Sequence, residues 1–193
     1  MTIKLPDILK KLEKILVRNN YSFKDGLSKA EIKAQFENIS IVAFNEIIDI
    51  YSWKNGLDDE ILENDLELFP LGNFFSLEEA IQIYQYNVEN NYWSTELFPM
   101  FGAGNSEFFL IDCNPTSKQY KRVLFLSHTN YLAITPVSCY DDIQSLFLSV
   151  TECYEEKAYY FENADPYFSV DRLKEISINK RYNPSSEYWR LIN

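Results

Sequence analysis

The chain of 193 residues holds a single histidine, His128. That scarcity excludes a metal site built on several imidazoles, and equally a mechanism that uses two histidines. The three cysteines, Cys113, Cys139 and Cys153, are odd in number and lack metal-ligand spacing. They read as reduced, mostly packed thiols of a cytosolic protein. No uninterrupted apolar run approaches the roughly 20 residues that span a bilayer. The first residues, Met1-Thr2-Ile3-Lys4-Leu5-Pro6-Asp7, have no signal-peptide anatomy, so a cytoplasmic location is expected.

A further absence concerns positive charge. Residues 55–117 contain no Lys or Arg, yet carry 12 Asp or Glu. The formal net charge of -11 is therefore unevenly spread. Residues 1–36 hold eight Lys or Arg against four acids, and residues 172–193 hold five against two, whereas residues 37–171 hold five against 23. Phosphate is repelled by such a middle region, which disfavours direct nucleic-acid binding there and favours a basic partner.

What the chain does have is aromatic bulk, with 14 Tyr, 14 Phe and a hydrophobic fraction of 46%. One domain with its own core is expected at this length. Its centre is the stretch Phe98 to Asp112, in which two aromatic-rich runs flank Gly102-Ala103-Gly104-Asn105-Ser106. Gly and Asn tolerate the positive φ of tight reversals, so this is a hairpin signal.

Around the hairpin the pattern is mainly helical. Ile8, Leu9, Leu12, Ile15 and Leu16 predict an amphipathic helix over 6–18, followed by a loop over 19–27. Ser28 with Glu31 predicts a capping box for a helix over 29–37. A third helix starts after Ser40, with Ile41, Phe44, Ile47, Ile48 and Tyr51 on its stripe and Asn55-Gly56 as its C-cap. Short strands are expected at Leu66 to Phe69 and from Phe74-Phe75, then a helix over 77–90 capped by Ser76. After the hairpin, strands are expected at Arg122 to Ser127 and Tyr131 to Thr135. Ser138 and Asp141 open a long helix reaching about Phe161, and another helix covers Val170 to Ile178, before a short piece with Trp189. The fold class is α+β, a single antiparallel β-sheet covered by helices segregated to one face, with extra N-terminal and C-terminal helices.

The candidates for chemistry are few. Cys113 and His128 make a thiolate–imidazolium pair conceivable if their strands are neighbours, and a packed Cys with a turn His is the plainer reading. Glu107 and Asp112, around the hairpin, read as a solvated strand face and a strand-end cap rather than a carboxylate pair. Gly102-Ala103-Gly104 lacks the Lys and the following helix of a phosphate loop. Trp53 and Trp93 fit either a core or a binding face. The ten residues Asp58 to Glu67 hold six acids and read as a solvated loop or a binding surface.

An ordered set of residues resembles a known family. It comprises the helix ending in Asn55-Gly56, the acidic-apolar stretch closing in Leu68-Phe69-Pro70, and the Ser76-Leu77-Glu78-Glu79-Ala80 helix start. Phe98-Pro99 through Gly104-Asn105 to Leu110-Ile111-Asp112, the Val123-Leu124-Phe125 strand and the helix from Ser138 to Phe147 continue it. This order resembles the Smi/Knr-type family of the SUKH superfamily over about Ile39 to Tyr154. Ile39-Ser40-Ile41 and Gly104-Asn105 depart from the family's Pro and Gly-Asp at those places. The resemblance implies one domain, 1–193, with an N-terminal helical addition over 1–38, a family core over 39–160 and a helical tail over 161–193.

What it implies about function is binding without catalysis. Bacterial members resemble immunity proteins that neutralise polymorphic toxins, often nucleases, and fungal members are similar to regulators of cell-wall synthesis and signalling. The expected partner is therefore a cognate protein toxin, with a signalling or cell-wall assembly as the alternative. No catalytic, cofactor-binding or metal-binding residue is assigned. The expected partner-binding residues are Asp58, Asp59, Glu60, Glu63, Asp65, Glu67, Trp93 and Asn105.

Overall fold

The hydrophobic stripe of the N-terminal segment builds helix α1, Leu5–Val17, with proline in its first turn and Asp7 beside its positive end. Leu5, Ile8, Leu9, Leu12 and Leu16 form its buried face. The structure, a computed structural model, describes residues 3–58, 67–104, 106–130, 132–161 and 168–192. The reciprocal capping box of Ser28 and Glu31 starts α2, Lys29–Asn38. The expected loop between these helices contains a short strand, β1, Phe23–Asp25. It pairs antiparallel with β2, Lys54–Leu57.

That pairing corrects the reading of Asn55-Gly56. Helix α3, Asn45–Trp53, ends before them, and both lie in β2 rather than in a helix C-cap. Gly56 has φ +90°, and a Cβ there would lie 2.5 Å from the backbone nitrogen of Ser76. The strand thus presses against the start of the next helix, α4, Leu77–Glu89. Asn55 completes the contact. Its side-chain oxygen accepts from the Leu77 N–H at 2.8 Å, and its amide donates to Glu78 at 3.1 Å. Ser76 caps the same helix by accepting from the Glu79 N–H.

The main sheet has five strands: β3 Asn73–Phe74, β4 Leu97–Ala103, β5 Glu107–Asp112, β6 Val123–Ser127 and β7 Val137–Tyr140. All neighbours are antiparallel and lie in chain order, with α4 inserted between β3 and β4. The remaining elements are α5 Ile143–Glu155, the ribbon β8 Tyr159–Phe161 with β9 Phe168–Val170, α6 Arg172–Tyr182 and α7 Glu187–Leu191. The fold is α+β, with helices at both termini, as the patterning implied.

Several local expectations change. Residues 132–135 form no strand, because the Leu132 and Ala133 N–H groups turn back onto Asn130. The strand comes later, at Val137–Tyr140. Ser138 is therefore a strand residue whose hydroxyl accepts from Arg122, and Asp142 caps α5 instead. That helix stops at Glu155 rather than near Phe161, where β8 pairs with β9. Helix α6 begins at Arg172, two residues later than expected, and continues to Tyr182. Within the expected strand at 66–69, Leu68 and Phe69 are bends, and Leu66 lies outside the described residues.

All six residues of β5 are buried. Successive strand residues face opposite sides, so the sheet is covered on both faces. Phe109 meets Phe69 at 5.0 Å and Phe125 at 4.9 Å, whereas its neighbour Phe108 meets Trp93 at 5.2 Å on the other face. Phe69 is the plug of the first face, also packing on Phe101 at 5.3 Å and on Tyr140. Gly72 makes room for it, since a Cβ there would lie 2.4 Å from the Phe69 ring. Phe147 of α5 and Tyr188 of α7 close the same face against Phe101 and Phe125. Phe109, Ile111, Phe125, Phe44, Ile48 and Phe147 are buried, as their stripes imply, whereas Ile81 is half-buried at the rim of α4. Residues from α1 to α7 belong to one buried cluster.

Replacing Phe147 by Ala should lower unfolding free energy by about 3–5 kcal/mol, read as a shifted urea midpoint at unchanged slope. Gly72→Ala should cost about 1–3 kcal/mol by displacing the plug. A Gly72→Ala protein as stable as the parent would show that Phe69 is not held in this way.

Candidate partner-binding surface

The acids of residues 55–117 divide by what surrounds them. Glu107 and Asp112, at the two ends of β5, are buried and hydrogen-bonded. Asp58, Glu67 and Glu79 are half-buried, while Glu78, Glu89 and Glu96 are exposed. Ion pairs among the described residues join Lys11 to Glu155, Lys29 to Asp49, Lys54 to Glu13 and Lys121 to Glu46. Arg122 meets Asp141, Arg172 meets Glu175, Lys174 meets Asp171 and Arg181 meets Glu152. All of these acids lie outside 55–117. Within it, Glu78 has Lys24 in electrostatic range.

Of the residues expected to contact a partner, Asp59, Glu60, Glu63, Asp65 and Asn105 lie outside the described residues. Asp58 follows β2, where its N–H donates to the Ser22 carbonyl at 3.2 Å. Glu67 has a role in the fold: its carboxylate accepts from the Leu71 N–H at 2.7 Å and its carbonyl from the Tyr21 hydroxyl at 2.7 Å. These bonds shape the turn that carries Phe69. Trp93 is a correction. It is only 8% exposed and packs on Phe108, so it belongs to the core beneath the sheet rather than to a binding face. Trp53 likewise packs between Phe23, Phe74 and Phe147, donating its ring N–H to Glu13 at 3.0 Å.

Beside Trp93 the structure shows a groove of about 640 Å³ that periodicity did not single out. It runs between α4 and the tip of the β4–β5 hairpin, and is lined among others by Ile83, Tyr86, Tyr92, Phe108 and His128. Only the exposed tyrosines, aromatic residues off the buried stripe of α4, hinted at it in the sequence.

The candidate pairs for chemistry are held apart. Register pairs Glu107 with Ser127 and Ile111 with Val123. His128 therefore sits beyond one end of the β5–β6 pair and Cys113 beyond the other, seven residues along the ladder and so about 24 Å apart at 3.4 Å per residue. No thiolate–imidazolium pair forms. Burial pushes the Cys113 thiol well up, away from its nucleophilic form, and pushes Cys153 up to about 12. Cys139 is raised too, also by burial. Asp112 closes the strand end by accepting from the Asn114 N–H at 2.9 Å and the Ser117 hydroxyl at 2.5 Å. Gly102 and Ala103 are strand residues of β4, and no helix follows their turn. Among the described residues no group of three or more His, Cys, Asp or Glu is placed to hold a metal ion.

Glu107 is not the solvated strand residue expected. Burial on its own would raise its pKa, but hydroxyl groups of Ser106, Thr129 and Ser127 outweigh that and hold it below the usual carboxylate range, with His128 adding attraction. The cluster ties the hairpin tip to the turn after β6, where the Ser127 hydroxyl also accepts from the Thr129 and Asn130 N–H groups. No helix among the described residues is long and apolar enough to cross a membrane.

No family model matches the chain, and no curated protein matches it.

A depressed folded-state pKa means Glu107 contributes stability that is full above its ordinary value of 4.5 and lost as pH falls through the folded value. Glu107→Gln should therefore lower stability at pH 7 by about 1–2 kcal/mol and flatten the decline below about pH 4.5. Thermal unfolding measured from pH 7 to pH 3 checks both. Equal acid slopes in the two proteins would show that the carboxylate is not specifically stabilised.

Proposed function

We propose that this protein is a non-enzymatic immunity protein of the cytoplasm that binds and blocks a cognate protein toxin through an acidic surface. The observation that carries the reading is the separation of charge. Among the described residues, Lys11, Lys29, Lys54, Lys121, Arg122, Arg172, Lys174 and Arg181 pair with acids outside 55–117, while the middle segment has 12 carboxylates and no cation of its own. Glu78, Glu89 and Glu96 are exposed among them. An exposed charge in water is cheap, whereas an isolated buried one is not, so such a composition feeds a negative surface. A toxin that cleaves nucleic acid needs a basic cleft for phosphate, and an acidic protein competes for that cleft. The resemblance to the Smi/Knr-type family points the same way. The separation of Cys113 from His128 and the raised thiol pKa values support binding rather than hydrolysis.

The test uses the product of the adjacent gene as the partner, since immunity genes stand beside toxin genes. The two proteins should co-purify. Reversing Asp58, Asp59 and Glu60 to Lys should slow association about tenfold at low ionic strength and flatten its salt dependence, with little change in thermal stability. Association as fast as the parent's at every salt concentration would reduce the stretch to a solubilising loop.

A further inference from the structure

Helix α4 has three carboxylates, Glu78, Glu79 and Glu89, and no Lys or Arg. Gln82, Tyr86 and Glu89 follow one another at i+4 and i+3 spacing, so they share one face. Tyr86 is 61% exposed, and Tyr92, just beyond the helix, is 59% exposed. Their ring centroids lie 6.3 Å apart, tilted by 50°, and both line the groove of about 640 Å³ at the hairpin tip.

We infer that this groove is a docking site for a lysine- or arginine-bearing segment of a partner protein. The occupant follows from charge and ring chemistry. The faces of two adjacent phenol rings carry negative quadrupole charge and attract a guanidinium or ammonium placed over them. Glu89 stands one turn from Tyr86 on the same face and adds a full negative charge. No Lys or Arg between 55 and 117 is available to occupy the rings from within the segment, and among the described residues His128 is the only basic side chain lining the groove. Large rigid aromatics left in water are also the residues that carry interface energy at little entropic cost. The volume suits a few side chains rather than a whole element. The inference does not need the partner to be a toxin.

The test titrates isotope-labelled full-length protein with N-acetyl-tetra-arginine amide, and separately with tetra-glutamate, by NMR. Tetra-arginine should give saturable shifts centred on Gln82, Tyr86, Tyr92 and His128, and tetra-glutamate none. Tyr86→Ala with Tyr92→Ala should raise Kd about tenfold, the size expected for two exposed cation–π contacts. Tyr86→Phe with Tyr92→Phe should restore binding, because the ring faces remain while the hydroxyls are lost. Both substituted positions are exposed, so the fold should persist, and the amide spectrum shows whether it does. Shifts spread over carboxylates elsewhere, a Kd unmoved by the double Ala change, equal binding of tetra-glutamate or no binding of tetra-arginine would each overturn the proposal. Because the probe is a peptide, the result stands whether or not the product of the adjacent gene binds.

Discussion

The burial of β5 on both faces is the constraint from which much of this structure follows. A strand with one wet face can place its charges there; Glu107–Asp112 has no such face, yet begins and ends with a carboxylate. Each end is therefore enclosed by hydrogen bonds, because a buried charge without partners is too costly. At one end Ser106, Ser127 and Thr129 converge on Glu107 and bind the hairpin tip to the turn after β6. At the other, Asn114 and Ser117 fold the following turn back onto Asp112. The loops on both sides of the sheet thus take their shape from two carboxylates that the strand would otherwise strand in an apolar layer.

Aromatic bulk answers the same constraint between the two ends. Phe69 enters one face as a wedge held by a turn, with Glu67 receiving the Leu71 N–H and Gly72 yielding space to the ring. Trp93 covers the opposite face at Phe108. With rings this large on both sides, a few residues seal the sheet, and the polar surface is left to helices and loops. The charges then separate. Cations of the terminal segments meet acids such as Asp49, Glu152 and Glu175, while Glu78, Glu89 and Glu96 of the middle segment face solvent. Glu175 is the exception in kind: buried among Arg172 and Tyr159, it is raised by desolvation and serves the core, not the surface.

Local patterning determined a good deal. The stripe of α1, the capping signals of Ser28 and Ser76, the hairpin around Gly104 and the α+β class are legible because each depends on neighbours within a few residues. So is the absence of positive charge from 55 to 117, which is composition and needs no fold. What the tertiary structure decided is where a local signal had two possible partners. Asn55-Gly56 reads as a helix end, but β1 offers it a strand and α4 offers it a helix start to cap, thirty residues and twenty residues away. Ser138 reads as an N-cap, but β6 takes its backbone and Arg122 its hydroxyl, so Asp142 caps instead. Trp93 fits either a core or a binding face until Phe108 is placed beside it, and the exposed tyrosines become a groove only when the hairpin tip comes to lie against α4. Hydrogen bonds and ring contacts between residues far apart in the chain have no signature in local periodicity, because their energy depends on a closure that the whole sheet makes possible.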